Sequence, residues 1–263
     1  MGVLAGRRAL VTGAGIGIGK GIALELARQG AAVAVHAPPF EQEGAAATSA
    51  QIQQEGGVAA TVLGDLRLVA ECRRVVDDAA NALGGLEILV NNAGVTRTRE
   101  FLNTSEEDYD EQFNLNIRGY FFCAQQALPW LLRRGGGAIL NISSIHGFAG
   151  FPGHAAYAAT KGAVIAFTRE LSIELAPRRV RVNAIGPGVI EVPRYFNDIP
   201  GYTTEWGNAL VPWGRVGQPA DIAAAAAFLV SDAADFITGQ VLYVDGGTNA
   251  RMALWWDPNK GAG

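Results

Sequence analysis

Tyr157 and Lys161 stand four residues apart, and Ser144 lies thirteen residues before the tyrosine. In a helix, that four-residue step puts two side chains on one face, a turn apart. A free phenol titrates near ~10 and exchanges protons poorly at neutral pH. A nearby ammonium stabilises the phenolate and lowers that value. A serine hydroxyl beside the phenol can hydrogen-bond the same substrate oxygen. The three groups together suit general acid/base work on a carbonyl or carbinol oxygen. Taken alone, a Tyr–Lys pair at this spacing is commonly an exposed helix face, so the chemistry needs support from the rest of the chain.

That support begins near the N-terminus. Arg8 to Thr12 reads as a short buried strand, followed by Gly13-Ala14-Gly15-Ile16-Gly17-Ile18-Gly19 and then a helical pattern from Lys20 to Gln29. Ile22, Leu24, Leu26 and Ala27 give this helix an apolar face. Gly30 ends it, and Ala31 to Ala37 reads as a second strand. Strand, glycine turn, helix, strand is the context in which glycines let the backbone approach a pyrophosphate on a helix N-terminus. The bland alternative is a plain connecting turn, which this context disfavours.

The elements between the two motifs alternate. Further strand candidates are Ala59–Leu63, Ile88–Asn91, Ala138–Ile142, Arg181–Ile185 and Val241–Val244, and helical stretches include 68–83, 105–132, 155–174 and 220–230. Repeated βα units require a parallel sheet with helices on both faces. Gly13, Asn91, Ser143, Ser144, Pro187 and Gly188 all fall just after predicted strands, so they are expected to gather at the carboxyl edge of the sheet. The expectation is an α/β protein with a single doubly wound parallel sheet of about seven strands. One domain is expected over residues 1–263, with a substrate-loop region at 188–215 and a tail at 249–263.

The spacing of Gly13, Gly17 and Gly19 resembles the TGxxxGxG motif of the short-chain dehydrogenase/reductase family. Asn91-Asn92-Ala93-Gly94 is similar to the family's NNAG after its fourth strand. Asn116 matches its helical asparagine, Pro187-Gly188 its PG, and Asp245-Gly246-Gly247 the end of its last strand. The resemblance runs from roughly Leu4 to Thr248. It implies a Rossmann-type sheet and an enzyme that moves a hydride between a nicotinamide cofactor and a CH–OH group. It casts Tyr157 as acid/base and Ser144 as the partner of the reacting oxygen, with Ser143 the competing serine. Lys161 would hold the nicotinamide ribose and depress the tyrosine pKa, and Asn116 would link to Lys161 through water. The cofactor would lie along Gly13, Gly15, Ile16, Gly17, Ile18, Gly19, Ala37, Asp65, Leu66, Asn92, Ala93, Gly94, Pro187, Gly188, Val189 and Ile190, besides Tyr157 and Lys161.

Cofactor choice turns on the end of the second strand, where an acid receives ribose hydroxyls or a cation receives a phosphate. Ala37, Pro38 and Pro39 carry no charge, and Ile16 stands where NADP-using relatives have a basic residue. Glu41 and Glu43 lie close by. The balance leans to NAD, with dual use left open. His36 is a lone histidine facing either way.

The pocket walls fall at 145–154 and in the loop from Gly188 to about Trp213. Substrate candidates are Ser144, His146, His154, Tyr157, Glu191, Arg194 and Trp206. Polar groups mixed with aromatic rings suit a polyhydroxylated ring, so the expected substrate is a monosaccharide or similar polyol, as the resemblance to the family's bacterial aldose 1-dehydrogenases also implies. The alternative is a 3-oxoacyl-thioester or other ketone reductase, with Arg97 and Arg99 serving a carrier phosphate. A nucleotide-bound structural or regulatory subunit is a third possibility, disfavoured by the intact Ser144, Tyr157 and Lys161.

The chain has 263 residues and a net charge of −4 with no basic block, which argues against nucleic acid. Cys72 and Cys123 are the only cysteines, in no metal-ligand spacing, so no metal and a reducing compartment are expected. No secretory signal or membrane-length apolar run is visible, and a soluble cytoplasmic protein is expected. The resemblance implies pairing through long helices into a homotetramer. Trp255 and Trp256 suggest that the tail packs onto its own or a neighbouring subunit.

Overall fold

The computed structural model describes residues 2–251. Seven parallel strands form one sheet in the order β3-β2-β1-β4-β5-β6-β7. They are β1 (Arg8–Val11), β2 (Ala32–Ala37), β3 (Ala59–Leu63), β4 (Ile88–Asn91), β5 (Gly137–Ile142), β6 (Val180–Pro187) and β7 (Val241–Val244). The helices are α1 (Gly17–Arg28), α2 (Gln42–Gln54), α3 (Val69–Leu83), α4 (Glu106–Phe113), α5 (Tyr120–Leu132), α6 (Ala155–Leu175), α7 (Tyr195–Asp198), α8 (Thr204–Leu210) and α9 (Pro219–Val230).

The strands are apolar on both faces, and the two-residue period sorts their side chains into two cores. Val11, Val33, Val35, Ile88, Val90 and Leu140 pack with Ile22, Leu26 and Ile222 from α1 and α9. Leu10, Ala34, Leu89 and Ile139 point the other way, onto Val75, Val76, Cys123 and Leu131 of α3 and α5. Strand order reverses between β1 and β4, and the crevice of such a sheet opens at the carboxyl ends there.

Three details differ from expectation. β6 runs on to Pro187, so Pro187 closes the strand and Gly188 is the first residue beyond it. The helical stretch 105–132 is not continuous: a six-residue π-helix, Asn114–Gly119, separates α4 from α5 and carries Asn116. The reason is local hydrogen bonding, since π turns hold one extra residue per turn and recur at functional sites. α2 was not anticipated because its buried residues, Ala45, Thr48, Ser49 and Ile52, are mostly small or polar and leave no apolar stripe. The expected packing of the Trp255–Trp256 tail lies outside the described residues.

Candidate active site

The nucleotide end is built from backbone groups locked by buried side chains. Gly13 and Gly17 take positive φ, 62° and 56°, which L side chains rarely adopt. A Cβ on Gly19 would run into the Gly13 carbonyl oxygen and the Asn92 amide, so the third glycine is required by close approach. Asn92 Nδ2 donates to the Thr12 and Gly13 carbonyls at 2.8 and 3.0 Å. Thr12 Oγ1 accepts from the Asn92 and Ala93 N–H groups at 2.8 and 3.1 Å. Thr12, the threonine of the TGxxxGxG pattern, is thus a lock between β1 and β4.

The first turn of α1 follows from this. Its N-cap, Ile16, makes no side-chain capping bond, and the turn holds no acidic residue. Ile16 is 52% exposed. Free N–H groups at a helix start, reached across glycines, fit an anion such as a pyrophosphate. The dinucleotide would lie on Gly13 to Gly19 and Asn92 to Gly94. Beyond β6, the Val189 carbonyl accepts from Gly217 N at 2.8 Å and Ile190 is buried, so of the Val189 backbone groups it is the N–H that could meet a carboxamide. Ala37 is fully buried at the end of β2. Asp65 does not present a free carboxylate: both oxygens bind Arg67, at 2.8 to 3.1 Å, and this holds the carboxyl below its usual range. Leu66 is buried beside it, its carbonyl accepting from Cys72 Sγ at 3.2 Å.

The catalytic candidates converge where α6 passes the ends of β4 and β5. Ser143 Oγ donates to the Lys161 carbonyl at 2.9 Å, so this serine is structural. Ser144 caps the short turn 145–147 by accepting from His146 N at 3.1 Å, and it is the serine beside Tyr157. Lys161, buried, donates to the Ile142 carbonyl at 2.9 Å and sits 5.6 Å from the Tyr157 ring centre. Asn116 is fully buried in the π-helix. It accepts from Val95 N at 2.8 Å and donates to Val95 O and Thr160 Oγ1 at 2.9 and 3.1 Å, so its amide serves neighbouring chain rather than reaching Lys161 directly. Asn116 and Lys161 flank Gly94, where a Cβ would lie 3.2 Å from Asn116 Oδ1 and 3.6 Å from Lys161 Nζ.

Burial is the largest influence on the Tyr157 phenol and pushes it up, while Ser144, Thr96 and Arg194 pull it downward. Lys161 is itself lowered to about 7, by burial first and then by Arg194. Thr96, on the segment after β4, is a site residue that the motifs did not indicate.

On the substrate side, the His146 and His154 rings lie tilted against each other with centres 4.7 Å apart, and their centres lie 5.5 and 6.3 Å from that of Tyr157. Burial lowers His146 to about 4, so its imidazole is neutral near pH 7, and its Nδ1 has no partner among the described residues. His154 is oriented by Pro152 O at 2.9 Å and Thr98 Oγ1 at 3.3 Å. Glu191 is held elsewhere: its carboxylate accepts from Tyr202 Oη at 2.9 Å and Thr204 Oγ1 at 2.8 Å, bracing the loop. Trp206 packs edge-on against Tyr202 and is 51% exposed. Arg194 is exposed and close enough to influence both Tyr157 and Lys161.

The comparisons agree with this arrangement. A family profile described as enoyl-(acyl carrier protein) reductase matches residues 13–249. A 3-oxoacyl-(acyl-carrier-protein) reductase from Staphylococcus aureus is 39% identical over 241 residues, 92% of this chain and 97% of that protein. A gluconate 5-dehydrogenase from Burkholderia cenocepacia, solved with NADP and tartrate, is 35% identical with a TM-score of 0.87, over 95% of this chain and 97% of that one. A 7α-hydroxysteroid dehydrogenase, solved with NADH and 7-oxo glycochenodeoxycholic acid, is 36% identical with a TM-score of 0.88, over 93% and 94% of the two chains. With the glycine turn, the Asn92 lock and the Ser144–Tyr157–Lys161 cluster on one sheet edge, the chain belongs to the short-chain dehydrogenase/reductase family, oxidoreductases that act on CH–OH and carbonyl groups.

Proposed function

We propose that this enzyme oxidises a hydroxyl of a monosaccharide or similar polyol, with NAD preferred over NADP. The observation that carries the substrate class is the neutral His146 ring, its centre 5.5 Å from that of Tyr157 and its buried Nδ1 without a partner among the described residues. A polar, uncharged wall beside the proton-transfer group suits a substrate with several hydroxyls. Tyr157 takes the proton of the reacting hydroxyl and returns it in reduction. Ser144 hydrogen-bonds the same oxygen, and Lys161, held by the Ile142 carbonyl, binds the nicotinamide ribose. Asn116 keeps the Val95 segment and Thr160 in place around that lysine. When bound, the nicotinamide supplies the hydride acceptor or donor.

The thioester-reductase alternative draws support from the 39% identity to the S. aureus enzyme. Against it, the two arginines that would meet a carrier phosphate are paired within the chain. Arg97 binds Glu111 at 2.6 and 3.0 Å, and Arg99 binds Asp108 at 3.0 Å. For the cofactor, no cation stands at Ala37 or Ile16, and half-buried Glu41, raised by burial, adjoins Gly15 through its backbone. We also propose a cytoplasmic homotetramer. The exposed Phe101, Leu102, Tyr109 and Phe121 on the α4–α5 side, and Phe236 and Leu242 beside β7, support the assembly.

Initial rates over aldoses, aldonates, polyols and simple alcohols, each with NAD and with NADP, test the function. Turnover of one sugar with NAD supports it. Silence across the sugars, with turnover of 3-oxoacyl thioesters and NADPH, overturns it.

A further inference from the structure

His36 is the penultimate residue of β2 and is 1% exposed. Its ring bridges the loops that follow β1 and β3, the two strands that flank β2 in the sheet. Gly13 N lies 3.1 Å from Nδ1, and Gly64 O lies 3.1 Å from Nε2. Each partner admits only one role. A backbone N–H can only donate and a carbonyl can only accept, so the proton sits on Nε2 and Nδ1 is the acceptor. The Gly64 carbonyl therefore sets the tautomer that Gly13 requires. The backbone of His36 adds a bond of its own, its carbonyl accepting from Ala14 N at 2.7 Å.

A protonated ring would set an Nδ1–H against the Gly13 N–H. The charged groups that bear on the ring are Arg74, which opposes its protonation, and Asp65, which favours it. Burial outweighs both and lowers His36 to about 4, in keeping with a ring that stays neutral.

Gly13 is the first glycine of the turn, held at φ 62° with a would-be Cβ only 2.8 Å from Ala93 Cα. The turn has little room to shift, and its N–H direction decides where the following N–H groups of α1 point. We propose that His36 is a positioning residue for the ADP half of the cofactor, fixing the glycine turn by accepting from Gly13 N–H. This rests on the family assignment and not on the sugar reading.

The test is calorimetric titration of the full chain with ADP-ribose, with the urea unfolding midpoint of each protein measured alongside. In His36→Asn the side-chain oxygen takes the place of Nδ1 and can accept from Gly13. His36→Leu has no acceptor. The expected result is that His36→Leu binds ADP-ribose at least about tenfold more weakly than the wild type while His36→Asn stays within about threefold. The proposal is overturned if His36→Leu binds within about twofold of the wild type, or if His36→Asn is as weak as His36→Leu. Should His36→Leu fail to fold, His36→Gln replaces it, since its longer amide reaches the Gly64 carbonyl but not Gly13. Tighter binding by Asn than by Gln then supports the proposal, and equal or reversed affinities overturn it.

Discussion

The glycine turn and the substrate loop are both irregular backbone at one edge of the same sheet, yet they are held in opposite ways. At the turn, buried Thr12 and His36, with the partly buried Asn92, take up the carbonyls and N–H groups of residues 12–14, 92 and 93. In the loop, Phe196, Trp206 and Trp213 are 55%, 51% and 75% exposed, and the main side-chain anchor is Glu191 with its two hydroxyl donors. Buried bonds leave a site one geometry, whereas a few anchors under an aromatic shell can be re-aimed by changing side chains. The cofactor half is therefore constrained by the backbone, and the loop half is the part left open to change by its side chains.

The largest expected effect falls between the two regions. Tyr157→Phe is expected to lower kcat by about 10³-fold while leaving dinucleotide affinity within about twofold, because the lost hydroxyl serves the substrate proton while the ring remains. Stopped-flow turnover and NADH fluorescence titration check the two halves of that statement, and loss of both would merge the regions being compared.

A second effect separates them by pH. The folded pKa of His36 is depressed from 6.5 to about 4, so the folded state takes up its proton later than the unfolded chain. Stability that is complete above pH 6.5 is lost as pH falls toward about 4, by about 3 kcal/mol from this group. Urea unfolding at successive pH values should show that slope, and His36→Asn should flatten it.

Glu191→Gln should act on the substrate loop only. Tyr202 and Thr204 lose a charged acceptor, a change of about 1–2 kcal/mol, and KM for the substrate should rise about tenfold with a smaller change in kcat. An equal rise in KM for NAD would show that the loop and the turn are coupled. Glu41→Lys sharpens the comparison from the other side: the kcat/KM ratio of NADP to NAD should rise, by about tenfold or less, with the substrate KM unchanged.

The legibility of the chain divides along the same line. The glycine turn, NNAG and the Tyr–Lys pair are short patterns whose chemistry depends on residues within one or two turns, and the structure brings them together at the predicted edge. Short apolar runs bounded by turn residues, such as 31–37 after Gly30, told which elements are strands. The split of 105–132 around a π-helix was not readable, because hydrogen-bond register inside a continuous helical pattern leaves no mark on residue types. His36 could be placed on a strand but not assigned a partner, and Thr96 looks like any other threonine.

Spacing and periodicity along the chain were enough to set the parallel α/β architecture and the nucleotide motif, and the family resemblance singled out Ser144, Tyr157 and Lys161 as a group. Long-range packing decided the rest. Which serine is free depends on Lys161 taking Ser143, eighteen residues away, and the tautomer of His36 depends on Gly13 and Gly64, 23 and 28 residues away. Such bonds join groups that meet only once the sheet order is complete, and burial then fixes their charge states. Neither effect has a local signature in the sequence.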